Sequence, residues 1–179
     1  MRLAGLDFET ANGKLGSICA VGCAILDTGA VMERKEWLVC PHHGYRWMRE
    51  DFTEIHGITY WDVCNCGEFD CIWPDLRRML LSADCVAIHN ASFDLGHLRS
   101  VLALYELPSV EFDYVDSLMI SRRLFPEMPS HSLDMMAERF GITFRHHNAL
   151  EDATACASIV ARMGVPDGFL RHFATNVQA

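Results

Sequence analysis

Two acidic residues stand near the start of the chain, in a stretch that otherwise looks like a buried strand. The segment MRLAGLDFET carries Asp7 and Glu9 two positions apart. Side chains alternate between the faces of a strand, so both carboxylates point the same way, about 6–7 Å apart, while Phe8 points into the other layer. Like charges on a buried face are costly unless cations neutralise them, and oxygen ligands suit Mg²⁺ or Mn²⁺. The alternative is that this face of the strand is open to solvent.

A third acid lies where a short apolar strand runs into a helix. Asp94 ends the segment HNASFD, and the apolar positions around it predict an amphipathic helix over 91–106. Junctions of this kind at one edge of a sheet often carry functional residues in α/β proteins. The alternative is an acid that interacts favourably with the N-terminus of its own helix.

A fourth acid and a histidine occur together near the end of the chain. In HHNALED, Asn148 and Glu151 have the spacing of a helix N-cap and of a capping acid that reaches back to it. Asp152 falls at the edge of the packing face of that helix, among small residues that allow a close approach to a sheet. His147 precedes the cap. Beside a carboxylate cluster it is a candidate general base, because the unperturbed pKa of histidine lies near neutrality.

The elements that must position these residues begin with three strands and continue as alternating helices and strands. The pattern predicts strands over 2–9, 17–26, 31–40, 85–90 and 112–115, and helices over 72–82, 91–106, 116–124, 131–140 and 149–163. The first three strands form an antiparallel meander. The order predicts an α/β fold with a mixed five-stranded sheet and helices on both faces. Such a sheet can bring all four acids to one edge.

The composition indicates one compact domain over residues 1–179. Half of the residues are hydrophobic, and the sequence has no repeat, linker or low-complexity tract. The net charge of −9 argues against a broad basic surface for nucleic acid, although bound divalent cations reverse the local sign of a site. No apolar run approaches the length of a membrane span, and no signal peptide precedes the first strand. We therefore expect a cytoplasmic protein with no membrane contact.

The sequence contains eight cysteines without the spacing of a secretory disulfide framework, which favours reduced thiols. Three of them, Cys64, Cys66 and Cys71, cluster in CNCGEFDC. A zinc site there would need a fourth ligand such as His56, and the C-x-C spacing is not a usual zinc pattern. The alternative is a loop with ordinary thiols.

The ordered motifs resemble those of the DEDDh family of 3′-5′ exonucleases, which have a ribonuclease H-like fold. The family's D-x-E motif matches LDFET, its second motif matches HNASFD, and its H-x4-D motif matches HNALED at His147 and Asp152. The nearest type is the epsilon proofreading subunit of bacterial DNA polymerase III. FTEIHGIT and SHSLDMMAERFGI also resemble family segments. The resemblance thus covers a motif-bearing core over 1–163 and leaves a short C-terminal tail over 164–179.

The resemblance implies a metal-dependent hydrolase that cuts phosphodiester bonds at the 3′ end of DNA, single-stranded or frayed, and releases nucleoside 5′-monophosphates. The implied ligands of two Mg²⁺ or Mn²⁺ ions are Asp7, Glu9, Asp94 and Asp152. His147 would take the proton from the attacking water. The residues implied to contact the terminal nucleotide are Thr10, Ala11, Ile55, His56 and Phe93. For Phe93, stacking on a base and packing beneath Asp94 are both open.

Two alternative functions remain at this stage. The same chemistry could act on RNA or short oligoribonucleotides, and contact with the 2′-hydroxyl would decide between the two substrates. A non-catalytic module that binds 3′ ends or a polymerase is a different class, and it predicts the loss of at least one metal ligand. A polymerase partner and a homodimer are both compatible with the family.

Overall fold

The computed structural model describes residues 1–175. The strands are β1 Arg2–Thr10, β2 Ile18–Asp27, β3 Ala30–Leu38, β4 Cys85–Ile88, β5 Glu111–Asp116 and β6 Arg171–Ala174. The helices are α1 Glu50–His56, α2 Tyr60–Val63, α3 Phe69–Leu81, α4 Ala91–Leu104, α5 Ser117–Leu124, α6 Leu133–Arg139 and α7 Ala149–Met163, with a 3-10 turn at His43–Tyr45. Among the described residues, no helix combines the length and apolar character needed to cross a bilayer.

The six strands form one mixed sheet in the order β3-β2-β1-β4-β5-β6. Strands β1, β2 and β3 pair antiparallel, as the predicted meander requires. Strands β1, β4 and β5 pair parallel, and β6 returns antiparallel to β5. β2 is buried along almost its whole length, which explains why it carries no charge before Asp27.

Helices cover both faces of the sheet, so the predicted α/β architecture is confirmed. Leu6 and Phe8 of β1 pack with α3 and α4 on one face, where Phe8 meets Phe69 edge to face. Leu3, two positions from Gly5, packs with α5, α6 and α7 on the opposite face. The alternation of β1 therefore assigns its odd positions, including Asp7 and Glu9, to the α7 side.

Helix α7 lies directly on β1 and β2 because two glycines make room for it. A Cβ at Gly5 would come within 2.0 Å of the Ala153 carbonyl oxygen, and a Cβ at Gly22 within 2.0 Å of the Ala149 carbonyl oxygen. No larger residue fits these positions without moving the helix. The predicted close approach is therefore achieved by small residues on the strands as well as on the helix.

The structure corrects the prediction in two places. The sheet has six strands rather than five, because Arg171–Ala174 in the predicted tail forms an edge strand whose Phe173 packs on Phe112. A four-residue strand with one buried side chain gives too short an alternation to be recognised. Helices α1 and α2 were also not predicted, since α1 has no buried residue and α2 is a single turn. Residues 176–179 of the predicted tail lie outside the described part.

Candidate active site

Strand β1 presents the first two acids at its carboxyl end. The parallel pairing of β1 with β4 ends at Gly5, so Asp7 and Glu9 extend beyond it. Both side chains are partly exposed at the rim of the sheet. The interpretation of an entirely open face is wrong, because helix α7 covers the inner part of this face at Gly5.

Helix α7 brings the fourth acid over these two. Asn148 caps the helix as predicted, since its side-chain oxygen accepts the Glu151 backbone N–H at 3.0 Å. Glu151 does not reach back to the cap; its carboxylate instead pairs with Arg34 of β3. Asp152, one position on, is 4% exposed and faces β1. One carboxylate oxygen each from Asp7, Glu9 and Asp152 lie within 4.8 Å of one another.

The third acid lies behind this cluster. Asp94, in the first turn of α4, is 2% exposed, and its Oδ1 accepts the Phe8 backbone N–H at 3.0 Å. This bond is needed because β4 turns into α4 after Ile88, which leaves that part of β1 without a strand partner on this side. The interpretation of Asp94 as merely a helix-terminus acid is therefore incomplete: it joins α4 to the strand that carries the other acids.

The four carboxylates repel one another electrostatically. Burial, followed by the charges of Asp94, Asp152 and Glu9, raises the pKa of Asp7 well above its usual range. Burial and the charges of Asp152 and Glu36 raise the pKa of Glu9 to about 7. Burial also raises the pKa of Asp94 and of Asp152. Hard oxygen donors gathered at such a cost fit divalent cations, which would remove the repulsion. We therefore find that the donor set fits the metal ions implied by the motifs.

Two histidines stand at the mouth of the site. His146 Nδ1 lies 3.0 Å from Asp152 Oδ1, and the His147 backbone N–H donates to Asp152 Oδ2 at 3.0 Å. Their rings stack with centroids 3.9 Å apart. His147 has a φ of 63°, a left-handed conformation that is uncommon outside glycine. The H-x4-D spacing selects His147 as the base, whereas the contact with the Asp152 carboxylate also involves His146, which the motif does not include.

A further histidine was not predicted for this site. A cavity of about 260 Å³ contains Asp7, Glu9 and Asp152, and His89 lines it as well. His89 Nδ1 lies 2.8 Å from the Ser117 hydroxyl, and burial lowers its pKa to about 4. The imidazole is therefore neutral at physiological pH. The sequence signal that could have identified His89 as a site residue is its position directly after β4, immediately before the turn into α4.

The residues predicted to contact the terminal nucleotide have two different roles in the structure. Thr10 and Ala11 form backbone hydrogen bonds, whereas Ile55 and His56 line a cavity. The carbonyl of Thr10 accepts a bond from His56 Nε2 at 3.2 Å, and Ile58 N–H donates to His56 Nδ1. Ala11 donates its N–H to Ser17 and accepts from Arg49 N–H, both at 2.8 Å. The backbones of Thr10 and Ala11 thus anchor α1 beside the site. Ile55 is 55% exposed in that helix and lines a cavity of about 540 Å³ together with His56 and His147.

Phe93 is exposed to solvent rather than packed beneath Asp94. Its side chain is 41% exposed, and its ring lies 4.6 Å from that of His97, centroid to centroid. His97 is itself buried and accepts the Gly16 N–H on Nδ1. The outer face of the Phe93 ring is therefore available for stacking.

The cysteine cluster does not form a metal site with His56. Cys64 and Cys66 are oriented toward the carbonyls of Trp61 and Asp62, and both ring nitrogens of His56 have the partners given above. Within residues 1–175, the groups of side chains spaced to hold an ion are all built around Asp152. The interpretation as a loop with ordinary thiols is the one that agrees with these contacts.

Comparison with known proteins agrees with the geometry. The family model described as Exonuclease, RNase_T, matches residues 5–160. The DNA polymerase III PolC-type of Thermotoga petrophila is 31% identical over 160 residues, which cover 88% of this chain and 11% of that protein. The PolC-type polymerase of Streptococcus thermophilus is 31% identical over 127 residues, covering 70% of this chain and 8% of that protein. The chain thus spans about a tenth of the length of these relatives.

Solved structures share the fold. Exonuclease X in complex with 5′ overhanging duplex DNA superimposes with a TM-score of 0.71 at 23% identity, covering 90% of this chain and 89% of that one. The nuclease domain of 3′hExo, a DEDDh family member bound to rAMP, gives a TM-score of 0.72 at 18% identity, covering 90% of each chain. The family model matches residues 5–160, and the four acids and the histidine of this chain occur in the order of the DEDDh motifs. The chain therefore belongs to the exonuclease family, in its DEDDh branch.

Proposed function

We propose that this domain hydrolyses phosphodiester bonds at the 3′ end of DNA, single-stranded or frayed, and releases nucleoside 5′-monophosphates. The observation that carries the proposal is the convergence of the Asp7, Glu9 and Asp152 carboxylates within 4.8 Å, with Asp94 buried behind them. A non-catalytic module has no need to maintain this electrostatic repulsion. The relatives support DNA as the substrate, because they are DNA polymerases.

The role of the four acids in the proposal is to hold two Mg²⁺ or Mn²⁺ ions. Such ions, when bound, lower the pKa of a water molecule and stabilise charge on the leaving oxygen. Asp7 has the central place among the ligands, since the charges of the other three all act on it. Asp94 also fixes β1 through the Phe8 amide. The protein thereby holds its ligands on β1 and on two helices that contact this strand, α4 and α7.

The proposed general base is His147. Burial and the adjacent His146 lower its pKa, so its ring is neutral near pH 7 and can accept the proton of the attacking water. The Nδ1 of His146 is instead engaged with Asp152. His146 and His147 both line the two cavities of the site, but only the ring of His146 contacts the Asp152 carboxylate. We therefore assign His146 the role of orienting Asp152 and His147 the role of proton acceptor.

The terminal nucleotide in this proposal lies against α1, where Ile55 is exposed and His56 is fixed by two hydrogen bonds. Phe93 offers an exposed ring on the other side of β1. Apolar and aromatic contacts accept any base, so little sequence preference is expected.

All eight cysteines are unpaired thiols, which supports a cytoplasmic location. The prediction of one domain over 1–179 rests on the composition and on a sequence with no repeat or linker, and the predictions of a polymerase partner and of a homodimer rest on the resemblance.

The proposal is tested with 5′-labelled single-stranded DNA and RNA of one sequence, incubated with Mg²⁺, Mn²⁺ or a chelator. We expect a ladder that shortens from the 3′ end of DNA, requires metal and disappears in Asp7→Asn. The matched control is Asp27→Asn at the opposite end of the sheet, which should retain activity. Faster RNA degradation would identify RNA as the substrate. A folded wild-type protein that binds 3′ ends but releases no mononucleotide would contradict the proposal.

A further inference from the structure

Part of the positive charge of this chain is used in ion pairs within the protein. It has 15 Lys and Arg residues against a net charge of −9. Six of these cations pair with acids, namely Arg34, Lys35, Arg46, Arg49, Arg78 and Arg139. A nucleic acid strand must therefore be held by local positive charge rather than by a general basic surface.

Two arginines without such partners share one cavity beside the site. Arg122 of α5 and Arg171 of β6 line a cavity of about 270 Å³, and neither forms an ion pair within residues 1–175. Both side chains are exposed. Tyr114 and the 41% exposed Met119 supply an apolar wall. Two guanidinium groups beside an apolar wall match the phosphate and the sugar or base of a nucleotide.

One acid, Asp116, also lines this cavity. Its Oδ1 accepts the N–H groups of Asn90 at 3.1 Å and Leu118 at 3.0 Å, and its Oδ2 accepts that of Ala91 at 3.1 Å. Three amide dipoles therefore offset its charge. Since Asp116 already occupies the amides at the start of α4, positive charge for a ligand must come from Arg122 and Arg171.

The arginine cavity continues the carboxylate site along one edge of the sheet. His89 lines the carboxylate cavity, and the next residue, Asn90, lines the arginine cavity. Ile88 pairs with Asp116, and Tyr114 pairs with Arg171, so the cavity follows β4, β5 and β6 away from β1. Neighbouring strands are about 4.8 Å apart, which separates β1 from β6 by roughly 14 Å. The terminal-nucleotide region at α1 lies on the other side of β1.

We propose that the Arg122–Arg171 cavity binds a backbone phosphate of the substrate strand on the 5′ side of the scissile bond. This inference rests on the proposed function and adds a direction to it: the strand runs from β6 across the carboxylates, with its 3′ end at α1. Such a subsite makes the enzyme favour oligonucleotides over substrates that have a single phosphodiester.

The test compares wild type with the double variant Arg122→Gln/Arg171→Gln on two substrates. One is the p-nitrophenyl ester of thymidine 5′-monophosphate, which has no upstream nucleotide, and the other is a series of oligodeoxynucleotides of increasing length. We expect unchanged hydrolysis of the ester, and for the longer oligonucleotides a KM raised about tenfold. The salt dependence of oligonucleotide binding, as log K against log salt, should become shallower by about 0.7, because one phosphate contact is lost. The control Arg123→Gln removes an exposed charge of the same helix that does not line the cavity.

The possible results distinguish a failure of the proposed subsite from a failure of the proposed function. Equal loss on ester and oligonucleotide would overturn the subsite, because the variant would then have damaged the carboxylate site. An unchanged KM and salt slope, or the same change in Arg123→Gln, would overturn it too. If wild type hydrolyses neither substrate, the proposed function fails. Fluorescence anisotropy with a labelled oligonucleotide still tests the subsite in that case, since only the double variant should then bind more weakly.

Discussion

The Oδ1 atom of Asp94 accepts the backbone N–H of Phe8 at 3.0 Å, between the two β1 acids. Asp94 therefore contributes a hydrogen bond to the fold and a negative charge to the site, and substitutions separate the two. Asp94→Asn keeps an acceptor for Phe8 and removes the charge. We expect the metal-free variant to melt at or above the wild-type temperature, with kcat/KM lowered by about 100-fold or more.

The companion variant Asp94→Ala removes both contributions. It leaves the buried Phe8 amide without an acceptor and should lower the free energy of unfolding by about 1–3 kcal/mol. Thermal unfolding in chelator, together with steady-state kinetics, measures both effects. Full nuclease activity in Asp94→Asn would show that Asp94 acts through the Phe8 bond alone.

Metal binding should stabilise the folded protein because the four carboxylates repel one another without it. At a metal concentration 100 times the Kd, binding to the native state contributes about 2.7 kcal/mol. For a chain of this size that corresponds to a rise in Tm of about 5–10 °C. Differential scanning fluorimetry with and without Mn²⁺ measures it. Asp7→Asn should melt higher than wild type in chelator and respond weakly to Mn²⁺; an equal response would place the ion elsewhere.

The closeness of α7 to β1 predicts that a single methyl group at Gly5 disables the site. In Gly5→Ala the new Cβ would lie 2.0 Å from the Ala153 carbonyl oxygen, so the helix that carries Asp152 must move. We expect a stability loss of about 3 kcal/mol or more and little nuclease activity. Gly96→Ala is the matched control. Its Cβ would meet only Leu15 at 3.6 Å, and alanine stabilises a helix interior by about 0.5–1 kcal/mol.

Substitution of His147 and substitution of His146 should have different effects on kcat and on its pH dependence. Asparagine tolerates the left-handed backbone at position 147, so His147→Asn removes the imidazole with little strain. We expect kcat to fall by about 10²–10⁴-fold and the acidic limb of the pH–rate profile to disappear. His146→Asn should lower activity less and keep that limb, because it removes only the contact with Asp152. The reverse result would assign the base to His146.

His97 should make the protein less stable in mild acid. Burial lowers its pKa to about 4 from an ordinary value of 6.5. The unfolded chain therefore binds more protons between these values, and the free energy of unfolding falls as the pH drops from about 6.5 toward 4. At pH 5 the loss amounts to about 1–2 kcal/mol. His97→Gln can still accept the Gly16 N–H without titrating, so its urea denaturation midpoint should fall less between pH 7 and pH 5. Parallel curves for the two proteins would contradict this.

The sequence by itself determined the elements that bear the motifs. The alternation in LDFET assigned Asp7 and Glu9 to one face of a strand, and Asn148 marked the start of α7, because both signals are local and come from backbone geometry. The order of the motifs indicated the family before any distance was known.

Only the tertiary structure decided which contacts form between residues of those elements. The bond from Phe8 to Asp94 joins residues 86 positions apart, and no periodicity reports such a contact. His146 meets Asp152 in a loop where His147 adopts a left-handed backbone, and the H-x4-D spacing encodes neither feature. Strand β6 and the pairing of Arg171 beside Tyr114 depend on an edge that β5 offers only after folding. Local patterns fix which residues can do chemistry, whereas long-range packing fixes which of them meet.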